Sequence, residues 1–403
     1  MNIFLLLFLT MVLIIFLLRC KLPIGPCMLV GGLFIWLVKQ PQVAYLVQSL
    51  QETLALHRTY DIILALYFVM CLEIELRVSG TLTGMVKALQ KIFASAKFTL
   101  AIMPAFLGLL PSLGGARFSA PIVEEASKGF ELNSSHKAAI NFWFRHIFEY
   151  SSPIIPGMIM ACSIAGVAFS DFIIHLCWLT LLSFVVGWFI LIRPLRVLTQ
   201  PLGSEEAQQK NLAALCLALA PIAVTFVLVV FCDFNASLAM GLVTLAMYFV
   251  LQLVHRPVGW REILGGAFDA KMFMNVFLIL YFIQILTVTN VLQEIVVAFQ
   301  TSPLPVPVII ACISFIIGVL TGMSQGHVAI VMPIVAAMGT GNLDLAGVAM
   351  AFGVAGQMLT PTHMCLVFSV EYFKAGFVQT LRPVFWCEVI ILSIFSAYTY
   401  FTW

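Results

Sequence analysis

Pro111-Ser-Leu-Gly-Gly-Ala-Arg-Phe-Ser119 and Thr321-Gly-Met-Ser-Gln-Gly-His-Val-Ala329 set small polar residues inside stretches that are otherwise apolar. In hydrocarbon each unpaired backbone N–H or C=O costs several kcal/mol, so a non-helical loop at that depth persists only when wrapped in protein around a polar cavity. Each stretch therefore predicts a re-entrant loop and one half of a binding site.

The chain around them is membrane-like throughout. Of its 403 residues 62% are hydrophobic and 9% charged, with a mean hydropathy of +1.08, where an ordinary soluble domain is about a quarter charged. Apolar runs of about 20 residues, the length that crosses ~30 Å of hydrocarbon, fall near 2–18, 22–38, 60–77, 138–170, 172–192, 211–231, 236–254, 272–289, 345–368 and 383–401. The two loop regions occupy 98–126 and 304–338. The expected fold is an all-α polytopic membrane protein without a soluble domain. Arg19 and Lys21 follow the first apolar run instead of preceding it, so this run is read as a retained helix and not a signal peptide. The 10 cysteines include no C-x-x-C, and most, such as Cys162, Cys216 and Cys312, lie in apolar runs, as buried free thiols do. A net charge of +2 with no basic stretch gives no sign of a nucleic-acid partner.

With the N-terminus outside and both loop regions re-entrant, every Lys and Arg except Lys39, Arg58, Arg117 and Arg145 falls on the cytoplasmic face. That is the positive-inside asymmetry of a multi-pass protein of the cell inner (plasma) membrane. The same threading makes residues 1–196 and 211–403 two halves of opposite orientation joined by a linker, 197–210. Each half holds scaffold helices (1–78 and 211–289), an amphipathic arm (80–96 and 290–302), a hairpin (98–126 and 304–338), a broken span (138–170 and 345–368) and a last span (172–192 and 383–401). Leu64-Ala-Leu-Tyr-Phe68 answers Leu278-Ile-Leu-Tyr-Phe282, and Pro41-Gln-Val43 answers Pro257-Val-Gly259. In the arms, Met85, Leu89, Ile92 and Phe93 oppose Lys87, Gln90 and Lys91, while Val291, Leu292, Ile295, Val296 and Phe299 oppose Gln293 and Glu294, the pattern of interfacial helices. Inverted repeats with broken helices are the architecture of secondary transporters, whose sites lie at the repeat interface near the midplane.

In the first loop Pro104, Pro111, Gly114 and Gly115 break the helix, Ser112 and Ser119 offer hydroxyls, and Arg117 adds a charge. Two helix ends meeting there would aim N–H dipoles at an anion; the plainer alternative is a kinked helix whose serines bond its own carbonyls. The second loop supplies Thr321, Gly322, Ser324, Gln325, Gly326 and His327. Its Gly322-Met-Ser-Gln-Gly326 also fits the G-x-S-x-G nucleophile pattern, so a rhomboid-like intramembrane serine protease pairing Ser324 with His363 is a competing possibility, although no strand precedes the turn. The spans that follow break at Ser151-Ser152-Pro153 and Pro156-Gly157, and at Thr360-Pro-Thr-His363. Proline frees a carbonyl there, and the hydroxyls beside it can ligate a cation or a substrate oxygen, or merely cap a kink.

Arg145 and Glu149 lie one helical turn apart with His146 beside them. Either they neutralise one another, or Arg145 attracts an anion while Glu149 or His146 carries a coupling proton. Glu149 is also the one good candidate for the membrane-embedded acid of a sodium/proton exchanger. His327 and His363 read as hydrogen-bonded polar lining, since no H-E-x-x-H or carboxylate cluster points to a metal. Glu73, Glu75 and Arg77 close the third span as a snorkelling surface group, and Glu124 with Glu125 forms a solvated helix end.

Residues 111–121 read Pro-x-x-Gly-Gly-Ala-x-Phe-Ser-Ala-Pro. With this signature and the pattern of halves, nearly the whole chain resembles the ion transporter superfamily of gluconate, citrate, lactate and dicarboxylate permeases, and in particular an uncharacterised prokaryotic branch that carries the signature. The resemblance implies helical hairpins at 98–126 and 304–338, interfacial arms, a scaffold that forms a homodimer, and elevator-type movement of the hairpin domain. Dicarboxylate members carry Ser-Asn-Thr at the hairpin tips, where this chain has Ser112-Leu-Gly-Gly and Ser324-Gln-Gly-His. The expected activity is that of a secondary active transporter, no enzyme, moving a small organic anion such as a carboxylate with a coupling Na+ or H+ and no cofactor. Its substrate should be lined by Ser112, Gly114, Gly115, Arg117, Ser119, Ser324, Gln325, Gly326 and His327 from the loops, and by Ser151, Ser152, Thr360, Thr362 and His363 from the breaks. Glu149, His146 and Arg145 should handle the coupling ion, and Arg117 against His327 suggests that one loop anchors a negative group while the other supplies neutral donors.

Overall fold

The computed structural model describes residues 3–82, 84, 95–109, 115–196 and 208–403. Among them are 19 α-helices and no strand. The first half runs α1 (Ile3–Arg19), α2 (Ile24–Lys39), α3 (Val43–Ala55), α4 (His57–Val78), α5 (Ala96–Gly108), α6 (Gly115–Ala126), α7 (Ser134–Arg145), α8 (Pro156–Ala165) and α9 (Phe169–Gly187). The second runs α10 (Gln208–Val230), α11 (Ala236–Leu253), α12 (Trp260–Gly266), α13 (Ala270–Val288), α14 (Val291–Gln300), α15 (Val306–Thr321), α16 (Ser324–Met338), α17 (Leu343–Met358), α18 (Met364–Phe373) and α19 (Phe377–Thr402).

Four helices are long and apolar enough to cross a membrane: Phe169–Ile192, Ala236–Leu253, Ala270–Val288 and Phe377–Thr402. Of the other expected runs, 2–18, 22–38, 60–77 and 211–231 each form one helix, α1, α2, α4 and α10, and the two runs expected to break do so. The run 138–170 is divided into α7 and α8, and 345–368 into α17 and α18. The hairpin helices are short as well: the 16 residues of α15 make about 24 Å of helix, too little to cross ~30 Å and suited to a segment that turns back.

The outer surface is apolar, with Phe8, Leu37, Phe231, Leu253 and Phe401 all exposed. Helix α3, which no apolar run announced, is inside out. Its Ser49 and Thr53 are fully buried, donating to the carbonyls of Tyr45 and Ser49 at 2.7 Å, while Val43, Val47, Leu50 and Leu54 face outward. Burying hydroxyls and exposing valines favours folding only where the surroundings are themselves apolar.

Packing is reciprocal between the halves. Helix α2 lies on α13 and α4 on α11; α3 lies on α13 and α12 on α4. Helix α5 packs on α6 and α7, as α15 packs on α16 and α17. The second hairpin helices reach across, α6 onto α18 and α16 onto α8. Small residues allow the closest approaches: a Cβ on Gly318 would lie 2.3 Å from the Gly353 carbonyl oxygen, and one on Gly356 would lie 2.1 Å from that of Phe315.

The second arm is α14, whose expected apolar face (Val291, Leu292, Ile295, Val296, Phe299) is buried, and whose Glu294 pairs with Lys39. The first arm's Met85 to Phe93 lie outside the described residues, as do 197–207 of the linker, and α10 already begins at Gln208. Glu73 and Arg77 pair at 3.0 Å with Arg77 turned outward. Glu75 departs from the expected surface group, for it is fully buried with both carboxylate oxygens lacking hydrogen-bond partners. Glu124 and Glu125 hold Lys137 and Lys128 at 2.8 and 2.5 Å.

Candidate functional site

The first break begins where α7 ends at Arg145 and runs to Ile155. A 3-10 turn over Ile147–Tyr150 holds Glu149, and Pro156 then opens α8, where its missing N–H leaves no helical bond unmade. Ser151 shares a 2.7 Å hydrogen bond with Thr180 of α9, and Ser152 is buried with no partner for its hydroxyl. The second break is shorter. Thr360 and Thr362 hydroxyls meet at 2.9 Å and the Thr362 amide donates to Thr360 Oγ1, a local turn that closes the gap between α17 and α18.

The tip of the second hairpin seats on both breaks. Gly322 turns the chain at φ 66°, the left-handed region that glycine enters without strain, and a Cβ there would lie 2.5 Å from Thr362 Oγ1. Ser324 opens α16 against the first turn of α8, where a Cβ on Gly157 would fall 2.5 Å from both its Cβ and its Oγ. The hydroxyl of Ser324 faces the Glu149 carboxylate, so the positive end of the α16 dipole and an acid share one spot. Glu149 is partly exposed, but its Oε2 is enclosed and has no hydrogen-bond partner.

Beside Glu149 the two breaks meet. His146 Nε2 lies 3.1 Å from His363 Nε2, and Cys365 Sγ completes a group whose ligand atoms are all within 4.8 Å of one another. His146 Nδ1 is 2.7 Å from the Phe142 carbonyl oxygen, and His363 Nδ1 is 2.9 Å from that of Gln357. The Phe142 ring packs on both imidazoles, at 4.9 and 5.0 Å between centroids.

Of the expected residues, the structure thus gathers His146, Glu149, Ser324 and His363, with Thr360 and Thr362 around the tip. Arg145 does not neutralise Glu149: its Nη1 donates to the Leu107 carbonyl at 2.9 Å, at the end of α5. Helix α7 ends between the two residues, and Gly108 lets α5 come this close, since a Cβ there would lie 1.9 Å from the Arg145 carbonyl oxygen. His327 is fully buried against Gly353 of α17 and neither ring nitrogen has a partner, so it is not the hydrogen-bonded lining expected of it. Gln325 and Gly326 complete the first turn of α16. In the first loop Ser112 and Gly114 lie outside the described residues, Gly115 opens α6, the side chain of Arg117 is not described, and Ser119 is buried with its hydroxyl on the Ala116 carbonyl at 3.4 Å.

Three residues went unnoticed in the sequence. Cys365 looked like one more thiol in an apolar run. Buried Asn141 ties α6 to α18, donating to Ala116 O at 3.3 Å and Ser369 Oγ at 2.9 Å. Glu388, in the middle of α19, is almost fully buried with Oε2 unpartnered and lines a small cavity with Tyr150 and His146, so Glu149 is not alone as an enclosed acid. Only the last could have been suspected, as an isolated carboxylate within an apolar run.

Among curated proteins none matches the chain. Residues 2–401 match the family described as Protein of unknown function (DUF401), and the chain belongs to that family.

Proposed function

For this family member we propose secondary active transport of a small organic anion, a carboxylate, coupled to Na+ or H+ and carried by a protein related to the ion transporter superfamily. One observation carries the proposal: the tip of a helical hairpin seats on two helix breaks at once, with Gly322 against Thr362 and Ser324 against Gly157. Backbone freed at both breaks, the Thr362 hydroxyl that bonds Thr360, and the first turn of α16 converge there, which is the site type that broken-helix transporters use. A carboxylate bound at the α16 terminus would stand beside Glu149. Two negative charges at that depth repel strongly unless a cation enters with the substrate, which is the reason to expect symport.

The reciprocal packing supports two inverted repeats, 1–196 and 211–403, and an elevator motion that carries hairpins and breaks against α2, α4, α11 and α13. Contacts between distant segments also agree with the threading that puts the N-terminus outside in the inner membrane: Lys97 bonds the Arg193 carbonyl, Lys137 pairs with Glu124, and Lys39 pairs with Glu294, each joining residues assigned to the same side. Val43, Val47, Leu50 and Leu54 of α3 offer an apolar face to lipid or to the second subunit of a homodimer.

A serine protease is the weaker reading. His363 spends one ring nitrogen on the Gln357 carbonyl and points the other at His146, so neither is directed at Ser324 Oγ. The deciding experiment is uptake of labelled carboxylates into proteoliposomes under sodium and pH gradients. Saturable accumulation of one of them sustains the proposal. Sodium movement driven by a pH gradient with no organic solute would make the protein an exchanger, and labelling of Ser324 by a fluorophosphonate with no solute uptake would make it a hydrolase.

A further inference from the structure

His146 and His363 come from opposite halves of the chain, yet their rings face each other with Nε2 atoms 3.1 Å apart. The partners of the other ring nitrogens decide what those Nε2 atoms are. A backbone carbonyl can only accept, so His146 Nδ1 on Phe142 O and His363 Nδ1 on Gln357 O both carry hydrogen. In the neutral rings both Nε2 atoms therefore present lone pairs to each other, an arrangement that repels unless something positive is shared between them. The Cys365 thiol, in hydrogen-bonding reach of both rings, can satisfy one of them with its proton, and once that proton leaves, Sγ is a third lone-pair donor at the same spot.

We propose that His146, His363 and Cys365 form a binding site for one divalent transition-metal ion, zinc before others. With Zn–N about 2.0–2.1 Å and Zn–S about 2.3 Å, a tetrahedral ion holds its donors roughly 3.3–3.6 Å apart, and the Nε2 pair is already near that spacing. Anchoring Nδ1–H on a backbone carbonyl is the outer-shell arrangement that orients metal-binding histidines. Two imidazoles and a thiolate are borderline-soft donors, which favour zinc, cobalt or copper over sodium or magnesium. Phe142 fixes both rings by contact.

The sequence hides the set, because His146 is remote from the other two and His363-Met364-Cys365 alone matches none of the usual zinc-ligand spacings. In the fold, the ion ties the first break to the second, since His146 follows α7 while His363 and Cys365 flank the start of α18. Three protein donors would leave the fourth position of a tetrahedral ion to water or another ligand, and Glu149 is a neighbour of both histidines. The site does not depend on which solute, if any, is transported.

The test uses full-length protein purified in detergent, stripped with a chelator and titrated with Zn2+ against a chromophoric competitor, and with Co2+ in a parallel sample. The expected result is one ion per chain and a thiolate-to-cobalt charge-transfer band in the near ultraviolet. Cys365→Ser should abolish the band, and His363→Gln should weaken zinc binding by more than about 100-fold, beyond the loss that outer-shell changes cause. Cys312→Ser should retain the ion, and because zinc binding is read with no solute present, failure here is separate from failure of the transport proposal. Should a ligand variant not fold, the wild type decides: zinc must slow alkylation of Cys365 mapped by mass spectrometry. Absence of stoichiometric metal, wild-type binding in both ligand variants, or alkylation indifferent to zinc overturns the site and leaves the Nε2 pair sharing a proton only.

Discussion

The two helix breaks occupy corresponding places in the two halves but are built differently. The first, from His146 to Ile155, is long, stiffened by a 3-10 turn and Pro153, and carries the acid Glu149 and the unpartnered Ser152. The second, from Leu359 to His363, is half that length, closed on itself by Thr360 and Thr362, with no acid. The tip of the second hairpin touches both, yet it meets them through different atoms: the Ser324 side chain at Gly157 and the Gly322 backbone at Thr362. The two breaks thus divide their labour, with charge on one side and backbone-closing hydroxyls on the other.

The sharpest way to break this comparison is to obstruct the first contact. Gly157→Leu forces a side chain into the space of Ser324, an overpacking of about 1–3 kcal/mol, and uptake should fall roughly 10- to 100-fold while the protein still elutes as a folded species. The next test is charge. Glu149→Gln should remove accumulation driven by a cation gradient, leaving at most equilibration of solute across the vesicle, whereas Glu388→Gln should keep gradient-driven accumulation, because Glu388 faces Tyr150 and not the hairpin tip. A weaker effect is expected at the second break. Gly322→Ala places a Cβ in a left-handed turn at a cost of about 1–2 kcal/mol and should lower uptake and thermal stability together. Asn141→Ala strips the link between α6 and α18 and should cost about 1–3 kcal/mol of stability, read as a lower unfolding temperature with substrate affinity retained. Smallest is Lys39→Ala: its pair with Glu294 is partly exposed, and such pairs contribute at most about 1 kcal/mol.

Much of this architecture was legible because membranes impose a narrow grammar. Gly322, Pro361 and the Pro153 to Pro156 stretch announced where helices stop, and the structure stops them there. The hairpin 304–338 was visible for the same reason. Ion pairs were harder. Arg145 and Glu149 stand one turn apart in sequence, but the helix ends between them, so their side chains part and Arg145 turns to a carbonyl of α5. Helix α3 was invisible because its pattern is inverted, with serine and threonine inward. The meeting of His146, His363 and Cys365 could not be read at all, since it exists only when the two halves interlock.

The central claim is that the hairpin tip closing on both breaks gates a solute path. Labelled-carboxylate uptake into proteoliposomes by the wild type and by Gly157→Leu, at equal amounts of folded protein, tests it most directly. The account predicts saturable, cation-gradient-driven uptake in the first and a loss of roughly tenfold or more in the second. Equal uptake by the two proteins, or none by the wild type for any carboxylate tried, would contradict it.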